Sequence, residues 1–227
     1  MNMENKEDNE EEINYEKSKD YWSNVEPTNC GMLGNLLQVS LPDIQGSLNF
    51  LKQVFKLKPA PLKNRCLDCG AGIGRVSKNV LMQEFTTVDL VEQDPKFCEK
   101  AKESLINSGH LGNVYNVGLQ DFKESSDTYD VIWIQWVLLY LPDEALIDFF
   151  NRISAMLNKN GLIIVKENFT KGNEVVFDKE DSSVTRPLAN FKQLLKQSNL
   201  RVIKEQKQTN FPKELFPVYM LAIRPIK

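Results

Sequence analysis

Apolar residues fall along this chain in short runs bounded by turn residues, at positions 65–69, 86–92, 113–117, 129–136, 161–167, 200–207 and 217–224. Each run is continuous or alternates with a period of two, the pattern of a β-strand. Between the first five the spacing changes to three and four residues over Arg75 to Leu81, Pro95 to Ile106 and Pro142 to Leu157. That spacing predicts helices, and Pro95 and Pro142 stand where a first-turn proline is tolerated. Alternating strand and helix predicts an α/β fold with a parallel sheet covered on both faces. After a helix over Pro187–Ser198 the last two runs follow one another with no helix between them, so they are expected to pair antiparallel at one edge. There is no internal repeat and no interdomain linker. The expected organisation is an acidic, disordered segment over 1–12 and one domain over 13–227, with a helical extension and a loop over 13–58 inside it.

The first run leads into Leu67-Asp68-Cys69-Gly70-Ala71-Gly72-Ile73-Gly74-Arg75, an acid followed by three alternate glycines. In open α/β sheets ligands bind beyond the carboxyl ends of the strands. Other such ends carry Glu92, Leu119-Gln120-Asp121, Gln135-Trp136 and Glu167-Asn168. Arg75 occupies the place of the third glycine in the dinucleotide fingerprint, and the antiparallel ending is a second argument against a dehydrogenase. Glu92 closes the next strand at about the 20-residue distance of a ribose-binding acid. Together these features predict an adenosyl ligand, S-adenosylmethionine. The loop amides at Gly70 and Gly72 and the Arg75 guanidinium are expected to hold its methionine moiety, a guanidinium being suited to a bidentate grip on a carboxylate. Gln120 is placed near the adenine and Gln135 near the methionine end. Trp133 and Trp136 lie three apart on one predicted strand and so face opposite sides. Trp133 is expected beneath a helix and Trp136 at a pocket wall.

Composition narrows the setting. The longest apolar run, Val131 to Leu141, contains Gln135 and is too short to span a bilayer, so no membrane segment is expected. Met1 to Glu12 has no apolar core, unlike a secretory signal. Four cysteines, Cys30, Cys66, Cys69 and Cys98, fit a reducing compartment, and an intracellular location is expected. Cys66-x-x-Cys69 has no second Cys/His pair, and His110 is the only histidine, so buried strand thiols are expected and no metal site. The net charge of −3 argues against a nucleic-acid groove, as does the lack of an N/D-P-P-Y/F tetrapeptide after the fourth strand. A cationic partner suits the acids of Asp178-Lys179-Glu180-Asp181.

The glycine loop, Gly118-Leu119-Gln120-Asp121-Phe122, Tyr129-Asp130-Val131-Ile132-Trp133-Ile134-Gln135-Trp136 and Asp181-Ser182-Ser183-Val184 closely resemble the protein α-N-terminal methyltransferases, from about Tyr21 to Arg224. The resemblance implies a seven-stranded, Rossmann-like S-adenosylmethionine-dependent methyltransferase sheet. The implied reaction is methylation of the free α-amine of proteins beginning Xaa-Pro-Lys or Xaa-Pro-Arg after methionine removal, with S-adenosylhomocysteine as by-product. It also implies a cytoplasmic or nuclear monomer with no direct nucleic-acid or membrane contact. Position by position, Gly70, Arg75, Glu92, Leu119, Gln120 and Gln135 match cofactor contacts. Trp22, Trp136, Asn168, Asp178, Asp181, Ser183 and Tyr219 match the peptide channel, and Leu33 lies in Gly31-Met32-Leu33-Gly34, which resembles the family's loop over the site. Asn168 would bond the first residue, Trp136 would pack on the proline, and Asp178 with Asp181 would meet the basic third residue and the amine.

One position departs from the pattern. Tyr140 stands where the family usually has a histidine, which with the aspartate at position 181 is thought to help deprotonate the amine. A phenol with an ordinary pKa of about 10 is a poorer base near neutrality than an imidazole at about 6.5. Tyr140 is therefore expected to orient the amine while Asp181, water or a carbonyl takes the proton. The alternatives are a small-molecule N- or O-methyltransferase on the same sheet and a noncatalytic cofactor-binding partner.

Overall fold

A computed structural model describes residues 12–123 and 127–226. The expectation for residues 1–12 therefore falls, apart from Glu12, outside the described residues. Seven strands form the main sheet: β1 (Arg65–Cys69), β2 (Thr87–Glu92), β3 (Leu111–Asn116), β4 (Tyr129–Gln135), β5 (Leu157–Asn168), β8 (Leu200–Lys207) and β9 (Val218–Pro225). Their order is β3-β2-β1-β4-β5-β9-β8. The pairs among β1 to β5 are parallel, while β9 runs antiparallel to both β5 and β8. Two further strands, β6 (Val176–Asp178) and β7 (Ser183–Thr185), make a separate antiparallel hairpin in the acidic segment, which the hydrophobic pattern did not indicate.

Helices α1 (Tyr15–Ser23), α2 (Asn29–Met32) and α3 (Ser40–Val54) precede the sheet, and α4 (Arg75–Asn79), α5 (Pro95–Leu105), α6 (Asp143–Ala155) and α7 (Leu188–Gln197) are interleaved with it. The segment expected to be helical through Leu81 leaves the α-helix after Asn79 and continues as a 3₁₀ turn over Leu81–Gln83. Helix α5 starts where Asp94 accepts from the Lys96 and Phe97 amides, with Pro95 in its first turn.

Each sheet face has its own apolar cluster. Phe149, Phe150 and Ile153 of α6 pack with Phe191 and Leu195 of α7 on one face. Phe50, Leu51 and Val54 of α3 pack with Val76, Leu105 and Trp133 on the other. Trp133 is fully buried there, and α3 thereby becomes one of the covering layers of the sheet. The central strand β4 is buried along its whole length and β3 at the edge is not, as continuous and broken apolar runs require. Cys66 and Cys69 are fully buried on β1 as free thiols, and burial pushes both well above the usual thiol range. Among the described residues no helix is long and apolar enough to cross a membrane.

Candidate active site

A cavity of about 670 Å³ opens where the parallel strands end. Its floor is the loop between β1 and α4. Gly70 and Gly72 have φ of 71° and 55°, in the left-handed region that strains other residues. A Cβ at Gly70 would lie 2.7 Å from Val137 Cβ, and one at Gly72 would lie 2.8 Å from Met32 Sδ, so neither position accepts a side chain without displacement. The Gly72 amide donates to Glu92 Oε2 at 2.8 Å, and Glu92 Oε1 accepts from the Asp94 amide at 2.9 Å. Burial pushes the Glu92 carboxyl up to about 7 against those two bonds. Asp68 accepts from Ser77 Oγ at 2.6 Å and is raised by burial to about 6.

Arg75, the first residue of α4, and Gln135, the last of β4, line the same end. Both meet Asp43 of α3: Arg75 Nη1 lies 2.8 Å from Asp43 Oδ2, and Gln135 Nε2 donates to Asp43 Oδ1 at 2.8 Å. Lys166 of β5 donates to Asp43 Oδ1 at 2.6 Å from a fully buried position. Burial pushes its ammonium pKa down, opposed by the Asp43 charge. Leu119 and Gln120 line the wall after β3, where Arg152 of α6 donates to both their carbonyls.

The other end is aromatic and acidic. Trp136 follows β4 at φ 54°, so it leaves the strand rather than continuing its alternation. Its ring faces Phe211 at 6.4 Å with the Arg75 guanidinium 5.8 Å from its centroid. Its buried indole N–H makes no hydrogen bond. Tyr140 donates to Asp181 Oδ2 at 2.7 Å, and Trp22 packs edge-on to Tyr140 at 6.2 Å. Burial, then the Asp181 charge, pushes the Tyr140 phenol well above its usual value, so it stays a donor. The Ser183 amide donates to Asp181 Oδ1 at 3.1 Å. Helix α1 reaches the same turn, with Ser18 Oγ donating to the Asp181 carbonyl at 2.8 Å and the Asn14 amide to Ser182 Oγ at 2.8 Å. Asn168, Asp178, Ser183 and Leu33 complete the lining. The carboxylate of Glu167 holds the turn carrying Tyr140 by accepting from the Val137 and Leu138 amides at 3.1 and 3.2 Å, and burial raises it to about 7.

The described residues thus fit an adenosyl sulfonium cofactor. A glycine cradle stands beside a ribose-height carboxylate, and Arg75 Nη1 is buried with no aligned hydrogen bond.

Comparison with known proteins agrees. Residues 10–224 match the family described as AdoMet dependent proline di-methyltransferase. This chain belongs to that family. Among its relatives, the Alpha N-terminal protein methyltransferase 1 of Drosophila melanogaster is 46% identical, over 93% of this chain and 76% of the fly protein. The N-terminal Xaa-Pro-Lys N-methyltransferase 1-A of Xenopus laevis is 41% identical, over 92% of this chain and 95% of the frog protein. A solved S-adenosylmethionine-dependent methyltransferase from Leishmania major superposes with a TM-score of 0.87 at 38% identity, covering 92% of this chain and 82% of that one. The cofactor of the family member described here is S-adenosylmethionine.

Of the residues given a cofactor, substrate or catalytic role from the sequence, the structure brings all but Tyr219 to this cavity. Tyr219 is on β9 one residue after the cavity-lining Val218, and alternation turns it to the other face, where its ring packs on Phe169 at 5.9 Å. The physical cause is the strict period of two along a strand. Asp43 and Lys166 had not been singled out. Lys166, a lone cation ending the apolar run Leu162 to Val165, was the available signal, because such a charge must find a buried partner.

Proposed function

We propose that this chain transfers methyl groups from S-adenosylmethionine to the free α-amine of proteins whose exposed N-terminus begins Xaa-Pro-Lys or Xaa-Pro-Arg. The observation that carries this is one continuous cavity with the glycine loop, Glu92 and Arg75 at one end and Trp136, Asn168, Asp178 and Asp181 at the other. When bound, the cofactor supplies an electrophilic methyl group and departs as a neutral thioether. The protein's share is to bring a neutral amine into line with it, where orientation alone lowers the barrier.

Trp136 offers an apolar plate to a proline ring, and the Asn168 amide offers a donor and an acceptor to the first residue. Asp178, exposed at the rim on β6, faces the basic third residue. Asp181 is placed by the Tyr140 hydroxyl and the Ser183 amide to receive the proton of the amine or to stabilise the charged product. An α-amine with a pKa of about 8 is already partly neutral at physiological pH, so a strong base is not required.

A Xaa-Pro-Lys peptide incubated with the enzyme and labelled cofactor is expected to take up label, while its N-acetylated twin is not. Changing the third residue to Glu is expected to abolish turnover, because like charges meet in a partly desolvated channel. Labelling of the acetylated peptide, or equal rates on Lys and Glu peptides, overturns the reading.

A further inference from the structure

Beside the cofactor end of the cavity, four polar side chains from four elements converge below the reach of solvent. Asp43 is fully buried on α3, Lys166 is fully buried on β5, and Arg75 and Gln135 are 6% and 7% exposed. Lys166 Nζ spends its three N–H groups on Asp43 Oδ1, the Asp43 carbonyl and Ser47 Oγ, at 2.6, 3.0 and 3.0 Å. Gln135 is fixed at both ends, accepting from Trp133 Nε1 at 3.2 Å and donating to Asp43 Oδ1 at 2.8 Å. Arg75 is treated differently. Its Nη1 is within ion-pair distance of Asp43 Oδ2, yet neither atom makes an aligned hydrogen bond. The guanidinium is held by charge while donor capacity stays unspent at the cavity it lines.

We infer that Asp43 and Lys166 are positioning residues for the amino-acid end of the cofactor: Asp43 sets the pose of Arg75 and Gln135, and Lys166 sets the pose of Asp43. This rests on the cofactor reading above. A carboxylate offering both oxygens to a guanidinium makes a bidentate pair and satisfies it internally. Lys166 and Gln135 together occupy Oδ1, so Asp43 presents only Oδ2 to Arg75 and the fork stays free for a second carboxylate, that of the methionine moiety. Asp68 also has a Coulombic hold on Arg75, and its Oδ2 is taken by Ser77. Because Asp43 sits on α3, the helical extension before the sheet is itself part of the cofactor site.

The test separates the two ends of the cofactor. Calorimetry on the full chain measures S-adenosylhomocysteine and 5′-methylthioadenosine, which keeps the adenosine and thioether but lacks the amino acid. Asp43→Asn preserves volume and an acceptor while removing the charge. It is expected to weaken S-adenosylhomocysteine by about tenfold or more, the scale of one charge-assisted bond, and 5′-methylthioadenosine by less than about threefold, within the range of an indirect effect. Should Asp43→Asn fail to fold, Lys166→Met is judged by the same ratio. An equal loss for both ligands, or no loss for either, overturns the inference. Failure of the unaltered protein to bind either ligand instead overturns the cofactor reading, so the two failures are distinguishable.

Discussion

Tyr140 and Asp181 share one hydrogen bond, and its direction decides their roles. The phenol donates and is held protonated by burial and by the carboxylate it faces, so it orients rather than accepts. Asp181→Asn is therefore expected to lower kcat/KM by about 100-fold, near the lower range for loss of an acid–base group. Tyr140→Phe is expected to cost about tenfold, or about 1.4 kcal/mol, because Trp22 still walls the site and Asp181 keeps the Ser183 amide. Equal inactivity of the two folded, cofactor-bound variants would give the hydroxyl a direct part in the chemistry. Glu92 supplies a second prediction at this scale. Its carboxyl sits near 7 through burial, and ribose hydroxyls donate more strongly to the ionised form, which also has no O–H of its own to place. Because a charge-assisted bond is the stronger one, cofactor affinity is expected to rise between pH 6 and 8, about the Glu92 value, and Glu92→Gln to flatten that rise in a calorimetric series. The glycine loop, Glu92, Gln135-Trp136 and Asn168 were legible because polar groups at strand exits stand out against apolar runs, whereas Asp181 and Tyr140 were singled out by the family resemblance. Asp43 was not, since an acid in the first turn of a helix is ordinarily a solvated favourable charge.

Elements act here by holding one another at close range. The turn carrying Trp136 to Tyr140 is suspended between the Glu167 carboxylate, which takes two of its amides, and Arg186, which donates to the Leu138 and Leu141 carbonyls at 3.4 and 2.6 Å. Val137 of that turn also touches the space above Gly70. Gly70→Ala is expected to destabilise the protein by about 2 kcal/mol or more, from the left-handed φ and the overlap with Val137 together, and to abolish S-adenosylhomocysteine binding. A thermal melt and calorimetry check both halves. A variant as stable as the parent with unchanged affinity would show that the loop and the turn are not coupled. The seven strands of the main sheet and the helices after β1 were readable from periodicity to within a few residues, while α3, the longest helix, was anticipated only as part of an extension over 13–58. The β6–β7 hairpin was not, because three-residue strands flanked by Asp178, Lys179, Glu180 and Asp181 are too short to show a period of two.

For the whole molecule, three buried carboxyls contribute to the response to pH. Asp68 at about 6, and Glu92 and Glu167 at about 7, are all raised chiefly by burial. Between the usual carboxylate value near 4 and these values, the native state keeps protons that the unfolded chain has released. Their contribution therefore favours the folded state least above about pH 7 and is relieved as the pH falls toward 5. Melting temperatures of the unliganded protein are expected to reflect this as a declining component from pH 5 to 7.5. The difference between the parent and Glu167→Gln isolates one carboxyl, and the variant is expected to show the shallower decline. Parallel curves would mean that Glu167 is ionised throughout.

The bonds that fasten α1 to the Asp181 turn join residues 168 and 163 positions apart, Asn14 to Ser182 and Ser18 to Asp181. A chain leaving the ribosome presents α1 long before its partner turn exists, and contacts between segments so distant in sequence are slow to form. The glycine loop and Glu92, only 20 residues apart where they bond, are both translated much earlier. The order of birth is thus adenosyl-loop residues first and amine-receiving turn late, with Gln135 and Lys166 of the cofactor end made in between. The two halves of the cavity close onto one another only when β4 and β5 have joined the sheet.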